Sequence, residues 1–527
     1  MGSLEINIST LDLVIVGLYF VVIVGIGLFV SRRTKTGDEL FLAGRSLGWV
    51  AVGLSLFASN ISSSTLVGLT GDAFRAGLAP SAFEWMAGLL LVFGAFTFFP
   101  FFLRSRVSTI PEYLERRFDV RTRKYFSVIT IFLAVIVDTA AGLYAGALVA
   151  QTFIPDLNLT VFIVVLAAFA GLYTAGGGLA AVVYTDLVQA IILLIGTASI
   201  AIATFGEFDF SWAAATEALP DGHLSIIQSI DNDVLPWPGL ILGVPVLGFY
   251  YWILNQYIVQ RVLGAKSIQH ARWGAMLAGL LKLSPLFIMM LPGAFAVELL
   301  PDLESADNVF PTLIREFLPR GLTGIVLAAI LSAILSSVDS ALNSASTLLT
   351  LDFLEPAKGR KLEPGESRRT GTLVTLGFMG IAAIWAPAIQ GFPGLFAYIQ
   401  EMFSYIVTPV VAIFLVGFFW DRANGTGALT TLVTGHVIAA ITFALVQTEV
   451  IRIHYLYVSS ILFLVSCGLM FLTSRAMGKA PASPQISDLT YSSRDRTVDE
   501  PVSWYKDFRV HAGVIVALTV TMLIVFW

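Results

Sequence analysis

Long apolar runs dominate the chain, so the few polar residues inside them can be considered one by one. Runs of about 20 residues, the length that crosses a roughly 30 Å hydrocarbon core, recur from end to end. They lie near residues 10–30, 47–69, 81–103, 125–153, 159–174, 179–205, 237–263, 271–299, 321–353, 371–390, 395–420, 426–446, 454–473 and 511–527. A membrane β-barrel would show short alternating segments instead. The pattern therefore predicts an all-α membrane protein with about 14 transmembrane helices. The second run breaks its own pattern. Phe57 to Leu69 places Ser59, Asn60, Ser62, Ser63, Ser64 and Thr65 at what should be mid-membrane depth. Irregular backbone survives there only when buried in protein or lining a cavity. An interrupted helix near the midplane is one way to build a binding site, with freed carbonyls for a cation and a half-helix N-terminus for a solute. A Ser-rich helix packed tightly on a neighbour fits the same stretch, because small residues are enriched at membrane helix interfaces.

Composition strengthens the membrane assignment. The 527 residues are 57% hydrophobic and 13% charged, with mean hydropathy +0.83. Soluble domains carry about 25% charged residues. The net charge of -5 says little about partners, because the charges gather between the runs. The single cysteine, Cys467, lies within an apolar run, so no intramolecular disulfide is possible. Glu5 and Asp12 precede or open the first run, the basic stretch Arg32, Arg33 and Lys35 follows it, and no convincing cleavage site is present. This predicts an uncleaved first helix with its N-terminus outside. Assigning alternate loops to the inside places 26 of the 31 Lys and Arg there, Arg261 and Arg272 included. That bias predicts both termini outside. The inside stretch 479–510 reads as a polar linker to a lone last helix. No Walker-type phosphate loop, metal-spaced His/Cys cluster, nucleophile–base pair or nucleic-acid-binding pattern is visible, so neither an enzyme nor an ATP-driven pump is expected.

Charged groups inside the spans are costly and are functional candidates by default. They are Glu84, Asp138, Asp186, Lys282, Asp339 and Glu401. Glu401 could lie near a helix end, Asp138 could bond a nearby Ser or Thr, and any acid could pair with Lys282 for structure alone. An embedded ammonium beside Asn60, Glu84 and Gln400 would offer donors and acceptors to a polar, hydroxylated ligand. Aromatics near these in sequence (Phe83, Trp85, Tyr250, Tyr251, Trp252, Phe396, Tyr398) could stack on a ring or gate it, although ordinary packing explains most such residues. A second interruption is expected around Pro245 to Gly248, five spans after the first. Paired interruptions in two halves point to an inverted repeat. The ninth span carries Ser336, Ser337, Asp339 and Ser340, hard oxygen ligands suited to a small hard cation.

The residues resemble the sodium/solute symporters and, within them, the sodium/glucose and sodium/galactose cotransporters. The resemblance rests on Phe57-Ala58-Ser59-Asn60-Ile61, Phe83-Glu84-Trp85, Thr109 to Phe118, Gly177 to Asp186, Tyr251-Trp252, Gln260-Arg261, Ala333 to Asn343 and Tyr398-Ile399-Gln400-Glu401. It runs in order along nearly the whole chain. It implies a leucine-transporter-like core of two inverted five-helix repeats, built from the second to eleventh spans. The corresponding division is 1–45 for the extra first helix and loop, 46–420 for the core, and 421–527 for three further helices. The resemblance assigns a sodium site to the carbonyls of Ala58, Ile61 and Ala333 and the hydroxyls of Ser336 and Ser337. It assigns the sugar site to Asn60, Glu84, Lys282 and Gln400, with Thr65 and Phe396 beside them, Tyr251 as inner gate and Trp252 next to it. Asp186, Asp339 and Ser340 are a candidate second sodium site.

Three positions depart from the galactose-binding members: Thr65 replaces a Gln, Ala87 a Ser and Gly248 an Asn. A sugar or polyol remains the expected solute, imported with sodium across a plasma membrane, that of a bacterium by the resemblance. Monocarboxylate, sialic acid, nucleoside and amino acid symporters are rivals on the same fold, as is a ligand-gated sensor. Glu84 argues against an anion unless Lys282 neutralises it. Stoichiometry sets the accumulation: one sodium crossing about 100 mV supplies roughly 2.3 kcal/mol and a tenfold gradient about 1.4. Together these permit on the order of 500-fold accumulation, and a second ion would square it. The residues leave the oligomeric state open.

Overall fold

The structure is a computed structural model and describes residues 8–31, 43–107, 109–154, 158–174, 179–217, 219–392, 394–477, 489–491 and 503–527. Most of the 479–510 linker lies outside them, as does Gly177-Gly178 of the motif named above. Among the described residues the chain is helical, with isolated bridges such as Leu47 to Ala265 in place of any sheet.

An apolar helix lies at each expected span. The first is α1 (Thr10–Ser31), followed by a helix in two halves, α2 (Trp49–Asn60) and α3 (Ser63–Ala76), bent by 60°. The pair α4 (Ser81–Phe96) and α5 (Phe98–Ser105) bends by 47°. A short α6 (Ile110–Arg117) leads into α7 (Val120–Phe153), α8 (Leu159–Thr174) and α9 (Leu179–Gly206). The small α10 (Trp212–Glu217) precedes α11 (Trp237–Leu254), α12 (Gln256–Leu263) and α13 (Ile268–Leu299). Next come α14 (Val309–Phe317), α15 (Leu322–Lys358) and α16 (Pro364–Trp385). The pair α17 (Leu395–Ile406) and α18 (Thr408–Phe419) bends by 48°, and α19 (Gly425–Gln447), α20 (Tyr455–Ala476) and α21 (Phe508–Val525) complete the chain.

Nine helices and three bent pairs are long and apolar enough to cross a bilayer among the described residues; α1 and α8 have shorter apolar cores. The core sits around α15, whose most apolar window is 83% buried, whereas those of α19 and α21 are 22% buried and face outward. α15 packs on α9 and on α1, and α2 packs on α13 and α9. The α2–α13 contact is close because Gly53 meets Leu277, where an added Cβ would come within 2.7 Å.

The first break follows from local chemistry. The Ile61 amide continues the helix by donating to the Phe57 carbonyl, but the Ser62 amide turns back to the Asn60 carbonyl at 2.9 Å. The Ala58 carbonyl thereby loses its helical donor. The chain restarts as α3 because the Ser62 hydroxyl accepts the Thr65 amide at 3.1 Å, an N-cap. The Ser-rich packed helix is thus not what forms.

The second break is not where the sequence placed it. Pro245 to Gly248 remain helical inside α11, and the break falls at Asn255, whose ψ of 120° is extended. The turn before it, Tyr250–Leu254, widens to π-type bonding, so the Asn255 amide reaches the Tyr250 carbonyl at 2.7 Å. The Asn255 side chain then caps α12 by accepting the Tyr257 amide. Proline inside a helix removes one donor, yet the frame holds here; the widened turn supplies the discontinuity instead.

Candidate functional site

The break at residues 60–62 opens onto a cavity that also draws on α4, α7, α11, α15 and α17. It encloses about 800 Å³ of unfilled space, its mouth included. Its polar wall holds Asn60, Ser62, Ser64, Thr65, Glu84, Asp138, Ser337 and Gln400, and its aromatic wall Phe83, Tyr251, Trp252, Tyr257, Phe396 and Phe403.

Lys282 lies behind the polar wall and ties two of its members together. It follows α13's first straight segment and is fully buried. Its Nζ donates to Asn60 Oδ1 and to Glu84 Oε2, and it lies 5.6 Å from the centre of the Trp252 ring. Three side chains from three helices thus form one hydrogen-bonded, charge-balanced unit, as the sequence grouped them. Gln400 faces the same space from α17. The approach of α17 to α3 depends on Gly68, where a Cβ would sit 2.7 Å from Phe396 Cβ. The Asp307 carboxyl, from the loop before α14, caps α17 by accepting the Leu395 amide at 3.2 Å; burial pushes that carboxyl above its usual range, against the pull of the amide and of Arg75. Tyr251 donates no hydrogen bond to the backbone but accepts from the Tyr257 hydroxyl at 2.9 Å, and its ring stands edge-on to Trp252. Phe83 and Phe396 meet edge-to-face across the cavity wall. Of the other aromatics singled out, Trp85, Tyr250 and Tyr398 are packed inside the bundle.

The expected cation ligands gather beside this space. Ser336 Oγ donates to the Ala58 carbonyl at 3.2 Å, joining α15 to the broken helix. Ser337 Oγ is buried, lines the cavity and has no partner among the described residues. Ile61 and Ala333 are buried on the same two elements. Two hydroxyls and the Ala58 carbonyl, freed from its helical donor, are neutral hard oxygens of the kind a small hard cation takes.

The candidate second cation site is filled differently. Asp186 Oδ2 accepts from Ser55 at 2.6 Å, Ser59 at 3.1 Å and the Arg261 guanidinium at 3.1 Å. The same Nη2 that faces Asp186 also donates to Ser340 Oγ at 2.7 Å, and Nε donates to the Ser55 hydroxyl, also at 2.7 Å. Arg261 and Asp186 are 1% and 0% exposed. A fixed cation therefore stands between Asp186 and Ser340, two of the three residues of the candidate second sodium site. Asp339 is buried on α15, directly before Ser340. Arg261 was counted as an inside-loop charge; adjacency to a polar Gln hid its burial. The one signal for its role is the motif Gln260-Arg261 itself.

The structure also places groups that sequence reasoning named without assigning. Asp138 lines the cavity from a π-widened turn, Leu133–Thr139, and bonds no Ser or Thr among the described residues. Ser62, Ser64, Tyr257 and Phe403 join the wall as well. Glu401 sits on the other side of α17, where its carboxylate accepts from Gln447 at 2.9 Å.

Comparison with known proteins adds to this geometry. The family described as "Sodium:solute symporter family" matches residues 40–435. The sodium/glucose cotransporter 1 of Oryctolagus cuniculus is 35% identical over 514 residues, which span 86% of this chain and 77% of that protein. The sodium/myo-inositol cotransporter of Homo sapiens is 34% identical over 552 residues, spanning 93% and 76%. Among solved structures, the substrate-bound outward-open state of a Na+-coupled sialic acid symporter superposes with a TM-score of 0.78 at 22% identity, covering 90% of this chain and 99% of that one. Mhp1, a nucleobase-cation-symport-1 family transporter, matches in a closed conformation with a TM-score of 0.58 at 15% identity, covering 86% and 99%. These two likenesses establish the leucine-transporter-like fold.

Proposed function

Since the chain belongs to the sodium:solute symporter family and is a multi-pass membrane protein coupled to sodium, we propose that its solute is a neutral, polyhydroxylated one, a hexose or related polyol. The observation that carries this reading is the Lys282–Glu84–Asn60 unit, whose Asn60 and Glu84 line the cavity with Lys282 bonded to both from behind. It presents donor and acceptor groups with no net charge, which matches a hydroxyl that both donates and accepts. Gln400 adds an amide, and Trp252, Phe83 and Phe396 add apolar faces for a ring. Relatives named for glucose and for myo-inositol, both neutral hydroxylated rings, support it.

In this reading Asn60, Glu84, Lys282 and Gln400 bind the solute, with Thr65 and Phe396 at its edge and Tyr251 and Trp252 closing the inner side. Ala58, Ile61, Ala333, Ser336 and Ser337 hold sodium; the freed Ala58 carbonyl and the unpartnered Ser337 hydroxyl support that assignment. Sodium would stabilise the outward-open state, and the solute would then be imported by alternating access. Because Arg261 already neutralises Asp186, one sodium accompanies each solute, and Asp339 and Ser340 stay outside the ion site. Residues 46–420 form the transport core, flanked by 1–45 and 421–527. Both termini face outward, and the membrane is a bacterial inner membrane.

Proteoliposome uptake with a panel of labelled hexoses, polyols, carboxylates, nucleosides and amino acids, with and without a sodium gradient, tests the proposal. Sodium-driven accumulation of a hexose or polyol with a 1:1 charge-to-solute ratio is expected. Accumulation confined to carboxylates, or ligand-evoked current without uptake, would replace the reading with a carboxylate symporter or a sensor.

A further inference from the structure

The embedded charges around the cavity do not cancel. Lys282 is matched by Glu84, and Arg261 by Asp186. Asp138 faces the same cavity as Asn60, Gln400 and Ser337, yet among the described residues it makes no hydrogen bond and no ion pair. A carboxylate inside a span without a counter-charge is costly, and such groups persist where something functional completes them. The sodium ligands proposed above are carbonyls and hydroxyls only. Sodium bound there keeps its full positive charge, and it does so on the wall that Ser337 shares with Asp138.

We propose that Asp138 is the counter-charge of the transported sodium: it sets the charge balance of the cavity across a gap, without being a ligand of the ion. The inference rests on the sodium site assigned under the proposed function and extends it to the solute. When Asp138 is ionised, the empty cavity carries one uncompensated negative charge, which draws sodium in. With sodium bound the cavity is neutral, and a neutral hydroxylated solute enters without disturbing that balance. An anionic solute would restore the imbalance with the same sign. Asp138 thereby couples ion binding to the exclusion of carboxylates. The widened turn Leu133–Thr139 places the carboxyl: it shifts the register of α7 locally, and such turns recur at functional sites.

The test uses the purified full-length chain without any solute. Sodium titrations, with choline replacing sodium, are read by thermal stabilisation and by direct binding of radioactive sodium in the wild type, Asp138→Asn and Asp138→Glu. The Asn variant should need at least about tenfold more sodium for half-saturation, while the Glu variant stays within about threefold, the scale of two charges interacting across a partly wet cavity. An Asn variant within about twofold of wild type, or a Glu variant as impaired as Asn, overturns the proposal. If the Asn variant does not fold, the wild type decides: with sodium present, D-glucuronate should compete for uptake at least about tenfold more weakly than D-glucose, and equal competition overturns it. If no hexose or polyol binds but the sodium titrations separate as stated, the sugar reading fails and the role of Asp138 stands.

Discussion

Two buried ion pairs, Lys282–Glu84 and Arg261–Asp186, lie in the same bundle and have opposite surroundings. Both unite a base with an acid from a different helix, and both are almost wholly excluded from solvent. The Arg261–Asp186 pair is enclosed by Ser55, Ser59, Ser340 and the Tyr257 carbonyl, so the guanidinium and Asp186 Oδ2 are engaged inside the protein. Asp186 Oδ1 has no partner among the described residues, and Asp186 is not part of the cavity wall lined by Glu84. The Lys282–Glu84 pair has the cavity on one side, where Glu84 lines the wall and Asn60 completes the unit. The same chemistry serves as a brace where it is enclosed and as a recognition surface where one side is open. Burial alone therefore does not mark the binding residues; what distinguishes them is hydrogen-bonding capacity left facing a cavity.

Breaking the enclosed pair should have the largest effect. Arg261→Met leaves Asp186 uncompensated inside the bundle, a change worth about 3–5 kcal/mol. We expect loss of monodisperse protein or a steep fall in thermal unfolding temperature in detergent, with partial recovery in the double variant Arg261→Met, Asp186→Asn. A stable single variant would mean that the pair is not a brace. Breaking the open pair should act on transport first. Lys282→Met lets cavity water reach Glu84, so the fold survives, while the solute loses a charged hydrogen-bonding partner. Loss of such a partner raises KM by roughly 10- to 150-fold. Uptake in proteoliposomes beside unfolding temperature separates the two outcomes, and parallel losses in both variants would erase the contrast.

The difference between the pairs was only half legible in the sequence. Lys282, Glu84, Asn60 and Gln400 stand out because each is polar within an apolar run, and the structure brings Lys282, Glu84 and Asn60 into one unit beside Gln400. The bent second helix was legible for the same reason: six polar residues within the seven positions 59–65 cannot all be satisfied within a helix at that depth. Arg261 was misread because it follows Gln260 near the end of a span, and a charge near a span end looks like a loop charge. Its partners Asp186 and Ser340 lie 75 and 79 positions away on other helices, beyond the reach of any local period. Pro245 misled in the other direction, since proline marks a break by rule; the break lies at Asn255, set by a widening of hydrogen bonding that residue type alone does not announce.

A finer cut concerns the two sides of the cavity wall. Ser337→Ala removes a cavity-lining hydroxyl that has no partner among the described residues, whereas Gln400→Ala removes an amide facing the cavity. Each change is worth about one neutral hydrogen bond, roughly 0.5–1.5 kcal/mol or about two- to tenfold. The Ser variant should raise the sodium concentration for half-maximal uptake and leave the ranking of solutes unchanged. The Gln variant should reorder the solutes and leave the sodium titration nearly unchanged. Equal damage to both measures in both variants would count against separate sites.

The smallest expected effect is at Thr65, and it decides what the broken helix contributes besides sodium carbonyls and Asn60. The Thr65 hydroxyl lies 2.9 Å from the Ser62 hydroxyl and donates to the Asn60 carbonyl at 3.2 Å, so its bonding serves the restart of α3. Thr65→Val should therefore lower the unfolding temperature slightly, by the loss of about one hydrogen bond near 1 kcal/mol, with little change in KM for the solute. Thr65→Gln extends an amide toward the cavity that the residue already lines. If the short side chain sets solute choice, the Gln variant should shift the KM ratio between galactose and glucose by roughly two- to tenfold while the Val variant does not. A Val variant that moves the ratio as far as Gln would place the native hydroxyl on the solute instead, and the local hydrogen bonds would then have to break whenever the site fills.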